Sequence, residues 1–143
     1  MHNLTSLPPG RIKWAVPICI FIAALHVLFV LSYWPGILGP DSIAVLQEAE
    51  GRNHHGSGKS AFWVYFIQAL YTPWQRIEIP TIALAIVSTF VFCRICTYLI
   101  DKKHYKSLIF CLLFICCAPQ IIAMNIALYP DGVFATAFAG MLF

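Results

Sequence analysis

Charge is what this chain has least of. Of its 143 residues only 10% are charged, against 60% hydrophobic, whereas soluble domains carry about 25% charged residues. A water-soluble fold of this length could not hide so much apolar surface, so the composition implies an all-α integral membrane protein. The net charge of +3 is small and scattered, which excludes a nucleic-acid partner and leaves membrane lipids as the surroundings. A disulfide framework is also missing. Cys19, Cys93, Cys96, Cys111, Cys116 and Cys117 all fall in apolar runs, where cysteine behaves as a small hydrophobe. Cys93 and Cys96 have CxxC spacing, but no second pair completes a zinc set. There is no internal repeat and no low-complexity tract.

What the chain does contain is a series of apolar runs parted by short polar ones. Residues 1–13 are a polar lead ending in Arg11 and Lys13. Residues 14–34 form the first predicted span, about 21 residues at ~1.5 Å each, or roughly one hydrocarbon thickness. No small-residue cleavage pattern follows it, so it reads as an uncleaved span with Trp14, Tyr33 and Trp34 as interfacial anchors. His26, mid-span, is expected to be neutral and bonded to a neighbouring helix. Residues 79–100 and 107–128 are the second and third spans, the latter with a kink at Pro119. A basic turn, 101–106, joins them, a turn at 129–132 follows, and 133–143 begin a fourth span that the sequence cuts off.

Between the first two spans lies the longest polar interval, residues 35–78. A short helix is expected after Pro40, with Asp41 or Ser42 as its cap, Ile43, Leu46 and Ala49 on one face, and Gly51 as its stop. A second short helix starts near Ser60 and carries Phe62, Trp63, Tyr65 and Phe66. Both suit the membrane surface. Lys and Arg flank the start of span one and the end of span two, so these ends belong in the cytoplasm, as does the N-terminus. The long loop and the 129–132 turn then share the opposite face, and with them Asp41 and Asp131.

Several residues there can carry chemistry. Gly58-Lys59-Ser60 ends like a phosphate-binding P-loop, but the full pattern needs glycine where Asn53 stands. Asp41 and Asp131 each follow a proline. Two carboxylates on one face suit a divalent metal ion or activation of a hydroxyl. Arg52, His54, His55 and Lys59 cluster in the same loop, and their cationic groups suit a phosphate.

Pro35-Gly36, Asp41-Ser42, Gly51, His54-His55, Phe62-Trp63 and then Asp131 before an apolar helix together resemble the N-terminal part of a GT-C type membrane glycosyltransferase. That superfamily includes protein mannosyltransferases and aminoarabinose transferases. The chain departs from it in carrying Gly56-Ser57-Gly58 after the histidines, where related sequences have proline. The resemblance implies transfer of a sugar from a polyprenyl-phosphate donor to a lipid or protein acceptor outside the cytoplasm, in a bacterial inner membrane. Asp41 would be base or metal ligand, Asp131 its second, and Arg52, His54, His55 or Lys59 would meet the donor phosphate. It also implies that the chain is a fragment of a longer enzyme. A second expectation, from a different class, is a small non-enzymatic helper or scaffold whose loop aromatics, Trp63 above all, bind a partner.

Overall fold

The computed structural model describes residues 9–52 and 58–142, and every regular element among them is an α-helix. In chain order these are α1 (Pro9–Ser32), α2 (Pro40–Ala49), α3 (Ala61–Tyr71), α4 (Glu78–Asp101), α5 (Tyr105–Cys117), α6 (Pro119–Ile126) and α7 (Pro130–Met141). Two helical stretches, Trp14–Ser32 and Glu78–Asp101, are long and apolar enough to cross a membrane, and the α5–α6 pair makes a third only if taken together.

Proline sets most boundaries. α1 stops at Ser32, short of the expected 34, because Pro35 disfavours the α region for the residue before it. Tyr33 and Trp34 therefore lie in the turn, not in the helix. The expected third span is broken, not kinked. α5 and α6 meet at Ala118 with a bend of 72°. Pro119 lacks an N–H and pushes Ala118 out of the helical region, to φ −118 and ψ 71. α7 begins at Pro130, three residues before the expected 133. A proline at the first helical position gives up only an N–H that would be orphaned anyway.

α1 and α4 form the central pair. At one end Ala15 and Ile22 of α1 pack with Ile95, Cys96, Leu99 and Ile100 of α4 and Leu108 of α5. At the other end Val45 and Leu46 of α2, Trp63 and Ile67 of α3 and Leu84 of α4 close around Leu128. Val30, Ala85 and Ile126 form a third cluster. The broken pair α5–α6 therefore carries the chain from the C-terminal end of α4 back to its N-terminal half. α7 then returns, with Gly140 against Val91.

Two local expectations change. The buried face of α2 is Ser42, Val45, Leu46 and Ala49, while Ile43 is 46% exposed. The face is turned because the inward positions are those that meet Trp63 and Ile67. His26 is buried but, among the described residues, bonds no neighbouring helix: its Nδ1 lies 3.0 Å from the Ile22 carbonyl of its own helix, and its ring leans on Phe92.

Candidate functional site

The N-termini of α2 and α7 meet at one end of the molecule. α2 starts Gly39-Pro40-Asp41 and α7 starts Tyr129-Pro130-Asp131. In each the residue before proline is the N-cap, proline opens the helix, and aspartate lies in the first turn. Neither Asp41 nor Ser42 is the cap, as the sequence suggested. The cap is Gly39, and the Ser42 hydroxyl donates instead to the Ile37 carbonyl at 3.4 Å. Carboxylates so placed face the positive ends of two helix dipoles. The two N-caps touch: a Cβ on Gly39 would run into the Tyr129 hydroxyl.

Lys59 closes this group. The Ser60 hydroxyl caps α3 by accepting from the Trp63 N–H at 3.3 Å, which holds Lys59 just ahead of the helix. The Lys59 ammonium lies 3.1 Å from the Asp41 carboxylate and 5.8 Å from the centroid of the Tyr129 ring. Its side chain is 20% exposed, that of Asp41 53%. The hydrogen bond to Asp41 is the main cause holding the Lys59 pKa above the usual lysine value. Desolvation opposes it, and the fields of Asp41, Asp131 and Tyr129 add to it. Lys59 thus couples to both aspartates. Trp63 buttresses the site from beneath, with its indole N–H donating to the Leu128 carbonyl at 3.2 Å.

The other cationic candidates separate from this group. Arg52 turns to Glu50 at 3.0 Å, and the Tyr71 hydroxyl donates to the same carboxylate at 2.7 Å. That bond is the main reason the Tyr71 hydroxyl holds its proton above the usual phenol pKa. Glu50 is at the opposite end of α2 from Asp41, about 14 Å along the axis at ~1.5 Å per residue. His54 and His55 lie outside the described residues. As for a metal, Asp41 is engaged by an ammonium, and among the described residues no three His, Cys, Asp or Glu side chains are grouped to hold an ion.

Sequence reasoning paired Asp41 with Asp131 by topology, but it missed Tyr129 and Gly39. The signal was present in the doubled pattern X-Pro-Asp at the two helix starts. It also left Glu50, Gln68, Tyr71 and Gln75 unassigned, although they line a cavity of their own. No known protein family, curated protein or solved structure matches this chain.

Proposed function

We propose that this is a multi-pass membrane protein of sugar transfer, taking a sugar from a polyprenyl-phosphate carrier at its extracytoplasmic face. On this reading α1, α4 and the broken pair α5–α6 cross the membrane and α7 begins a fourth crossing, with α2 and α3 on the outer surface. The observation that carries the reading is the convergence of Asp41, Lys59 and Asp131 at one end of the helices. An apolar groove of about 610 Å³ between α1 and α4, walled by Ile20, Val27, Val30, Ile82, Ile86 and Phe90, gives an isoprenoid tail a lane along the lipid-facing side.

The chemistry follows from the ion pair. In the resting state Lys59 holds Asp41 in place. An arriving donor phosphate competes for the ammonium, and Asp41 is then free to accept the proton of the acceptor hydroxyl. The hydroxyl oxygen bonds to the sugar's anomeric carbon while the bond from that carbon to the phosphate oxygen breaks. The phosphate leaves with the electron pair, screened by Lys59, and Asp131 adds its negative field to keep the ammonium charged. Proton removal by a placed base is worth typically 10²–10⁴-fold in rate, and charge stabilisation adds to it.

The test is transfer of a labelled sugar from a polyprenyl-phosphate donor by the protein in liposomes. Asp41→Asn should lower the rate by about 10²-fold or more, and Lys59→Gln should lower it too. Undiminished transfer by Asp41→Asn would overturn the assignment. One observation favours the scaffold reading instead: Phe62 and Tyr65 of α3 are each 68% exposed. Trp63 is not part of such a surface, being 2% exposed. A docking role would show as loss of a partner on Phe62→Ala with Asp41→Asn silent.

A further inference from the structure

A polar cavity, of about 370 Å³, lies between the C-terminal ends of α2 and α3. Its walls include Glu50, Arg52, Gln68, Tyr71, Thr72 and Gln75. The backbone builds it deliberately on both sides. On one side Gly51, at φ +74, ends α2 in a Schellman turn, with the Gly51 N–H donating to the Glu48 carbonyl and the Arg52 N–H to that of Gln47. This turn swings Arg52 back over Glu50. On the other side Gln75 adopts φ +49, rare for a residue with a side chain, and its N–H donates to the Tyr71 carbonyl at 2.7 Å.

The charges in this cavity cancel. Glu50 is held by Arg52 and by the Tyr71 hydroxyl, so among the described lining residues the one positive charge is already matched by the one negative charge. What remains is neutral hydrogen-bonding capacity. The carboxamides of Gln68 and Gln75, which no other described residue engages, each offer donors and an acceptor. The Thr72 hydroxyl adds one of each, and the Tyr71 ring lines the wall. Groups that both donate and accept match a ligand whose every substituent is a hydroxyl. The volume is at the small end of the range for ligand pockets, room for one ring.

We propose that this cavity binds a single neutral sugar ring. It stands on different residues from the transfer reading and goes beyond it. About 14 Å of α2 separates Glu50 from Asp41, so the bound ring is not the one being transferred. Its place in the reaction rests on the transfer reading: it is a ring carried by the acceptor away from the reacting hydroxyl, and the pocket selects acceptors by that ring.

The probe is a set of methyl glycosides of glucose, mannose and galactose, read by saturation-transfer NMR on the protein in lipid nanodiscs. At least one should give a saturable signal in the millimolar range. Gln68→Leu and Gln75→Gly should each weaken it roughly five- to tenfold, the scale of one lost hydrogen bond. Glycine keeps the backbone of position 75 unstrained, and circular dichroism verifies that both variants fold. Inorganic phosphate should not displace the glycoside, and Asp41→Asn should leave binding unchanged. No saturable signal from any of the three, parental binding in both glutamine variants, or displacement by phosphate would each overturn the proposal. Loss of transfer without loss of binding in Asp41→Asn tells failure of this site apart from failure of the transfer reading.

Discussion

Gly39 and Tyr129, the N-caps of α2 and α7, lie against each other with no room for a methyl group between them. This contact sets the spacing of Asp41 and Asp131, since each aspartate is two residues past its cap. Gly39→Ala should therefore push the two helix starts apart and lower stability by about 1–3 kcal/mol, as overpacking does. Tyr129→Phe removes the hydroxyl that the new methyl would strike. The double variant should recover part of the loss, and melting temperatures in detergent for the four proteins would show it. Strict additivity would mean that the caps do not touch.

Trp63 ought to be the most sensitive aromatic in α2 and α3. Trp63→Ala removes a buried side chain from the α2–α3–α4 cluster, a change that typically costs about 3–5 kcal/mol. Trp63→Phe should cost less, because it keeps most of the packing and loses mainly the bond to the Leu128 carbonyl. Phe62→Ala, at an exposed position, should leave the melting temperature within error.

The ion pair predicts an alkaline limit. The folded-state pKa of Lys59 is raised above the ordinary value of 10.5. Its contribution is thus complete below the unfolded pKa and is lost as pH rises through the folded one. The difference in melting temperature between the parent and Lys59→Met should stay constant from neutral pH to about pH 10 and shrink above that. A difference that already disappears near pH 8 would show that another proton is responsible.

At the other end of α7, a Cβ on Gly140 would stand 2.6 Å from Cγ1 of Val91. Gly140→Ala should loosen the α4–α7 contact by about 1–3 kcal/mol. Val91→Ala vacates the colliding methyl, so the pair Gly140→Ala with Val91→Ala should be more stable than Gly140→Ala alone. Denaturation in mixed micelles can rank them.

The long elements were readable in the sequence because each is a long, mostly apolar run bounded by charge or proline. α4 was expected at 79–100 and spans Glu78–Asp101. The two short helices α2 and α3 were legible from Pro40, Gly51 and Ser60, whose local chemistry marks helix ends. What composition could not show was which side of a short helix turns inward. Ile43 and Val45 are equally apolar, and only the position of Trp63 decides between them. The depth of the break at Ala118 was hidden for a similar reason: Pro119 announces an interruption, but no local pattern shows that Ile126 of α6 will pack against Val30 and Ala85. Lys59 was visible as a cation in a loop, and its partner was not. An ion pair between residues on different elements is a property of the assembled helices, and no local pattern encodes it.

The bond from Trp63 to the Leu128 carbonyl spans 65 residues, and that separation has a consequence for biogenesis. As the chain leaves the ribosome, α2 and α3 emerge early and Leu128 late, with α4, α5 and α6 made in between. Until then the Trp63 indole has neither its acceptor nor the Leu128 side chain to pack on, and Lys59 lacks the Tyr129 ring. The face that joins α2 and α3 to Leu128 is therefore completed only after α6 has been made, although α2 and α3 come early in the sequence. A nascent chain stalled before Leu128 should show Trp63 open to quenchers, and one stalled well past it should not.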